Sequence, residues 1–600
     1  MATEKIFQIK KWLGLNQCQD SDTKLKMGEA AIMRNWRVTR DGNLQRRPGT
    51  IVRETLASGS PVKGLWSGFV NSTAVLLGAC GGKLYSLISA GGEWQSVELG
   101  SVDTSGSVHI FGFSDVAYIL TASEYKVWDG LTLSDVEGYV PLVTVAVPPA
   151  GGGTELEGIN RLNGKRRAWF SPDGTSTEFF LPENGMTSID SVTDTATGQT
   201  ITGVTKDTTN GKVTFSSAPA AGVNTIEISW TMPTSFRSQV IGMRFSELYN
   251  STQDTRVFLY GDGTNKCIYS GMDYNGAPRA DYFPDLYEIA VGDSNTPIMA
   301  MIRHYSKLVC FKSASTYSIA YGSVTLENGS VTAAFYSTPI NRTIGADAAG
   351  QASLVLNSPR TLFGHDIYEW HNSASYSSNL TIDERQAKRI SDRVAAALES
   401  FDIPNCICFD DNYNQEYWIC WNDKAIVNNY AVDAWYTYEG VNVACMAVIG
   451  DKLAFGTPDG KIKEVTYNAL CDIDGATETA IDSYWESGDM SFGSDYMRKF
   501  STQLWIGIAP TERSEVIVTV ETDRSSELAE KQLTENLSVF ENWDFADFEF
   551  AFDMKPKMHK LKIKAKKFVF YKLIFKTKSL DSNATVTSAD IKVAFMGYAK

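Results

Sequence analysis

Few side chains in this sequence stand where catalysis or metal binding would need them. Five histidines are present, His109, His304, His365, His371 and His559. None belongs to an H-E-x-x-H pair, and no serine sits in a G-x-S-x-G elbow, so neither a zinc hydrolase nor a serine nucleophile is spelled out. His365 and His371 on one strand would share a face but stand about 20 Å apart at ~3.3 Å per residue, too far for one metal. Asp410 and Asp411 are adjacent, and neighbours on a strand point to opposite faces, which spoils a glycosidase pair. Asp472 and Asp474, in C-D-I-D-G-A-T-E, begin like a calcium loop but lack its repeated-Asp frame and closing bidentate Glu. Nine cysteines are scattered with no zinc spacing. Cys406 and Cys408 would share one strand face with Cys420 on a neighbouring strand, and buried free thiols in a reducing cytosol explain them. The chemistry-bearing residues therefore predict no catalytic residue, no cofactor and no metal, and the chain reads as a non-enzyme.

The bulk numbers bound the fold class and the partners. Six hundred residues exceed one small core, so two to four domains are expected. Apolar residues make up 43% and charged residues 21%, which suits a folded chain; aromatics at 12% with 48 glycines suggest strands and tight turns. The net charge of −15 argues against broad nucleic-acid binding, which needs a basic surface. Residues 1–16 lack the apolar core of a signal peptide, and no apolar run is long enough to span a membrane.

The elements that would carry any site are short strands in repeated sets. Val62 to Trp66, Thr73 to Gly78 and Lys83 to Ile88 form the first. Val108 to Phe113, Val116 to Thr121 and Tyr125 to Asp129 form the second. Similar sets start at Ile298, Ala352, Cys406 and Val443. Units of this size cannot bury both faces alone and must stack around an axis. The fold class expected is mainly β: a β-propeller-like core of six or seven blades over residues 61–470, an inserted small β module at 174–232, and a C-terminal β-sandwich over 471–600. Residues 1–60 would be an N-terminal arm and hairpin. In the arm, Ile6, Ile9, Trp12 and Leu13 fit a short amphipathic stripe or an alternating strand. Pro148-Pro149-Ala150 and Gly151-Gly152-Gly153 mark a flexible break. One helix is expected, from Asp383 as N-cap to Phe401 before Pro404, with Ile390, Val394, Leu398 and Phe401 on one face and Arg385, Lys388, Arg389 and Arg393 on the other. In the last domain Lys560, Lys562 and Lys564 alternate with Leu561, Ile563 and Ala565. That pattern reads as a strand whose lysines block edge pairing or dock on an acidic partner, including the acidic half of a neighbouring copy.

The most distinctive stretch runs from Asn35 to Gly49, N-W-R-V-T-R-D-G-N-L-Q-R-R-P-G. It reads as a hairpin from Trp36, with a two-residue turn at Asp41-Gly42 and a stop at Pro48-Gly49. An ordinary hairpin is the plain reading. Asn35, Val38, Asp41, Gly42, Leu44, Arg47, Pro48 and Gly49, followed by β-repeats, also resemble the opening of tail nozzle and packaged-DNA stabilisation (tail hub) proteins of short-tailed bacteriophages. The phrase G-K-V-T-F-S-S-A-P-A-A-G-V-N-T-I-E-I-S-W resembles modules found in phage tail proteins. The resemblance implies a virion structural protein, made in the host cytoplasm, that forms part of the tail tube. It implies a hexameric homo-oligomeric ring, contacts with portal, adaptor or fibre proteins, and packaged DNA retained in and later passed through the lumen without sequence specificity. The inserted module would reach along or into that channel. The alternatives are a receptor-binding or fibre-attachment tail protein that binds host glycan through the propeller, and a propeller enzyme with two carboxylates in its central pocket.

Overall fold

The computed structural model describes residues 4–18, 22–90, 93–250, 255–325, 331–372, 385–510, 514–534, 555–580 and 583–598. Strands take 55% of the chain and helix 3%, so the protein is mainly β, in many small sheets of which none closes on itself.

Seven sets of four antiparallel strands repeat along the middle of the chain: residues 62–101, 109–135, 245–290, 298–341, 353–389, 407–439 and 445–466. In the seventh, Cys445–Ile449, Lys452–Gly456 and Lys461–Thr466 come from the middle of the chain and the fourth strand, Gly49–Thr55, from near the N-terminus. The register runs from Lys461 opposite Thr55 to Thr466 opposite Gly49. The first strand of each unit touches the first strand of the next, and Cys445–Ile449 of unit seven touches Val62–Val70 of unit one. Apolar side chains collect between neighbours rather than within units. Leu77, Leu84, Ile110 and Ile119 fill the space between units one and two, and Val62, Leu76, Ala454 and Ile462 that between seven and one. This is how a strand set with two apolar faces removes both from water. The unit at residues 245–290 is the one that the sequence pattern misses.

The expected helix does not form. Arg385–Arg389 is the fourth strand of unit five, paired with Asp366–Asn372. Only Ala395–Leu398 is α-helical, behind a 3-10 turn at Asp392–Val394. The edge of unit five offers a partner for each ladder amide, and that outweighs the 3.6-residue periodicity. Val394, Leu398 and Phe401 are buried all the same. Asp383, the expected cap, and the expected strand Phe548 to Met554 lie outside the described residues.

The inserted module is larger than residues 174–232. Its first sheet contains Leu142–Val147, Thr154–Glu155, Lys165–Phe170, Ser188–Asp194 and Ile226–Thr231; its second contains Glu178–Phe180, Thr205–Asp207 and Lys212–Thr214. Phe170, Phe179, Val192, Val213, Ile228 and Trp230 pack together as its core. Pro148 to Gly153 is therefore a turn inside the module and not a boundary, with the Gly151 N–H donating to the Pro148 carbonyl at 2.9 Å.

The two chain ends build one structure. Glu4–Ile9 pairs with Thr585–Tyr598, which also pairs with Leu44–Arg46 and Met497–Ile508. Glu29–Arg34 bridges unit six and the last domain, running parallel to Ala434–Glu439 on one side and antiparallel to Ser483–Ser487 on the other. Trp12 is buried against Trp485 and Phe575, at 5.0 and 5.6 Å between ring centres. Residues 1–60 are thus not a separate arm. Lys557–Phe568 is an end strand of its sheet, with Leu561, Ile563 and Ala565 buried and Lys560, Lys562 and Lys564 exposed, as the alternation predicts.

Candidate functional site

The hairpin at Trp36–Val38 and Leu44–Arg46 is positioned by its apolar side chains. Trp36, Val38 and Leu44 are fully buried in the core shared by the two chain ends. The turn is not the two-residue kind. The Gly42 N–H donates to the Thr39 carbonyl and the Thr39 N–H to the Asn43 carbonyl, both at 2.9 Å, with Gly42 at φ +77°. That is a three-residue loop closed by a glycine bulge. The Gly42 carbonyl accepts from the Trp12 N–H at 2.9 Å, so the turn also anchors the N-terminal strand. Asp41 is exposed at the tip and makes no hydrogen bond or ion pair among the described residues.

Asn35 and Arg47 flank the hairpin and meet beneath it. The Arg47 Nε donates to Asn35 Oδ1 at 3.1 Å, and its backbone N–H donates to the Asn35 carbonyl at 2.9 Å. Asn35 Oδ1 also accepts from the Glu439 N–H at 2.8 Å, while its Nδ2 donates to the Asp482 carbonyl at 2.8 Å. One carboxamide thus ties the hairpin to unit six and to the last domain. Asn35 sits at φ +57°, a region that asparagine tolerates better than most residues.

Arg47 extends the joint to unit seven. Its Nη1 and Nη2 donate to Asp472 Oδ1 and Oδ2 at 3.0 and 2.6 Å, a two-pronged ion pair, and Nη2 also donates to the Glu439 carbonyl at 3.2 Å. Asp472 Oδ1 accepts as well from the Thr50 N–H at 2.9 Å and hydroxyl at 3.0 Å, at the start of the closing strand. Burial raises the Asp472 pKa, but the hydrogen bonds and charge of Arg47 outweigh it and hold the carboxyl below its ordinary value. Pro48 and Gly49 then feed the chain into Gly49–Thr55. A Cβ on Gly49 would stand 2.1 Å from the Cys471 carbonyl oxygen, so only glycine fits.

Asn35, Arg47, Pro48 and Gly49 therefore serve the joint, Val38 and Leu44 seat the hairpin in the core, Gly42 closes its turn, and Asp41 does none of these. Sequence reading missed Asp472, Thr50 and Glu439 as its partners. Asp472 stood out as an acid, but its calcium reading fails: Arg47 and Thr50 occupy its oxygens, and Asp474 pairs with Lys461 at 2.5 Å. No group of three or more His, Cys, Asp or Glu among the described residues could hold a metal. His365 and His371 lie apart in their bonding, the first near the Leu398 carbonyl at 3.4 Å and the second on Glu369 at 2.7 Å. Cys406, Cys408 and Cys420 are buried thiols whose pKa values burial pushes up. The arrangement at Asn35 to Gly49 can hold three parts of the protein together; it presents no nucleophile, acid or base to a substrate.

No family model and no curated protein matches this chain. Among solved structures, a computationally designed protein, Ika8, matches at 10% identity over 70% of this chain and 99% of its own, with a TM-score of 0.28. A likeness that weak carries no argument. Among the described residues, no helix is long and apolar enough to cross a membrane.

Proposed function

We propose that the chain is a virion structural protein of a short-tailed bacteriophage, forming part of the tail tube as nozzle or hub. The observation that carries this reading is the joint itself. The stretch that bears the resemblance builds architecture: it locks the closing strand, unit six and the terminal sandwich to one another. In this reading the seven units are blades of one propeller. Their first strands touch in a cycle, and Gly49–Thr55 joins the last unit to the N-terminal part of the chain. Six copies would form a ring beside portal or adaptor proteins and tail fibres. With a net charge of −15, a tube of this protein would repel DNA phosphates and let DNA slide without sticking.

The module at residues 142–231 is the candidate gate. It has its own core and leaves the repeat between units two and three. A cut at residues 182–232 would separate Ile226–Thr231 from its partner Lys165–Phe170 and expose Phe170 and Phe179, while Leu162 lies in the core of units two and three and Arg161 donates to the Pro284 carbonyl at 3.3 Å, so the clean excision takes 142–155 and 165–231 and leaves 156–164 in place. Particles carrying that excision should assemble and leak DNA. Normal DNA retention in such particles would remove the gate, and absence of the protein from particles made with the intact chain would remove the virion assignment.

A further inference from the structure

The hairpin has an outer side that the joint does not use. Beside the first turn of unit six it borders an open cleft of about 470 Å³, lined by Arg37, Thr39, Arg40, Tyr413, Asn414 and Asn429. That volume suits a small ligand. Its positive charge is only partly answered. Arg37 pairs with Glu416 Oε1 at 3.6 Å, donates from Nε to Gln45 Oε1 at 3.2 Å and stacks 4.5 Å from the Tyr467 ring centre, so the unanswered charge is that of Arg40. Arg40 is exposed, reaches the Tyr413 carbonyl only at 3.5 Å, and has no ion-pair partner among the described residues.

Asn429 lines the cleft as well. It is 4% exposed, and its Oδ1 accepts from the Ala431 N–H at 3.1 Å, while its Nδ2 donates to no described residue. That leaves a donor on the cleft wall for an acceptor of a ligand. Asn414 is held by two bonds to Asp411, at 3.2 and 2.8 Å, which use its backbone N–H and Nδ2 and leave its Oδ1 as an acceptor. Tyr413 is 57% exposed and offers a flat ring.

We propose that this cleft binds an acidic sugar residue. The carboxylate lies between Arg37 and Arg40, the ring oxygens and hydroxyls meet Asn429 Nδ2 and Asn414 Oδ1, and the C–H face of the sugar lies on Tyr413. Planar guanidinium donors suit a carboxylate, and carboxamides suit hydroxyls, which both give and accept. A nucleic-acid strand fits less well, because its phosphates call for a row of basic groups. An acidic peptide also fits less well, since the lining offers no apolar side chain but Tyr413 as an anchor pocket. The inference stands apart from the tail assignment and is tested on the isolated full chain.

Calorimetric titration with a hexuronate disaccharide, its neutral hexose counterpart and inorganic phosphate reads the site directly. The acidic disaccharide should bind about tenfold more tightly than the neutral one, a difference of about 1.4 kcal/mol. R40A should erase that preference, and Y413A should weaken both sugars about tenfold while leaving phosphate unchanged. Both side chains are exposed, so the variants should melt with the parent. Absence of sugar binding, a preference that survives R40A, or phosphate binding as tightly as the acidic sugar would each overturn the proposal.

Discussion

The inserted module and the terminal β region are both β-structures with apolar cores, yet the chain makes them in opposite ways. The module takes its strands from one continuous stretch, residues 142–231, and its core residues all lie within that stretch. The terminal β region takes strands from residues 4–46 and from 483–598, and its core runs on without a break into units five to seven. A part closed on itself can open without disturbing the rest, whereas a part built from both ends must form together with what lies between. The module is therefore suited to open locally, while Asn160, Arg161 and Leu162 within its stretch hold it to units two and three. The joint at Asn35, Arg47 and Asp472 is where the second kind of structure is fastened.

Substitution should separate the two. R47A leaves the half-buried Asp472 without its cation, and breaking a fully buried pair costs about 3–5 kcal/mol, so a loss of about 2–3 kcal/mol is expected. Urea unfolding of R47A should show that loss in the main transition, because the joint touches unit six, unit seven and the terminal β region. A transition that moves by less than about 1 kcal/mol would mean that the joint is peripheral. F179A removes a buried ring that packs edge-on against Phe170 and Phe215, at 5.8 and 4.9 Å. A loss of about 3 kcal/mol is expected, confined to the module. Hydrogen exchange should speed up over residues 142–231 and stay unchanged in the terminal β region; faster exchange throughout would join the two regions into one unit.

The smallest effect expected is on pH dependence. Asp472 has a folded pKa below its unfolded value, so it adds stability above the unfolded pKa, about 3.9. That contribution is lost as pH falls through the folded value. Melting temperatures recorded from pH 6 to pH 2 should fall more steeply for the parent than for D472N, which has no such carboxyl to protonate. In the module, Asp194 and Asp207 also sit below their ordinary values, held by turn hydrogen bonds, but both are only half-buried and lie away from the joint. Their asparagine variants should leave the main transition unmoved.

Much of this was legible in local pattern and little of it in distant pairing. The strands of unit one are marked by alternation and by the Gly81-Gly82 turn, and the lysine strand at Lys557–Phe568 by the apolar-charged alternation from Lys560 to Lys566. Local pattern misled at residues 385–401. There a helical spacing of apolar residues arose because a strand, a 3-10 turn and a single helical turn all bury side chains toward neighbouring cores. The glycines after Pro149 read as a break because composition does not distinguish a linker from a hairpin turn. The partners of Arg47 were out of reach for a different reason: Asp472 lies 425 residues away, and nothing in either neighbourhood names the other. The cleft at Arg37 and Arg40 was hidden in the same way, since Asn414 and Asn429 come from unit six.

Gold-labelled antibodies raised against the folded chain, imaged on intact particles, test the tail assignment most directly. Label confined to the short tail at one vertex is the predicted result. Label on radiating appendages, or bare particles with the protein free in the lysate, would contradict it.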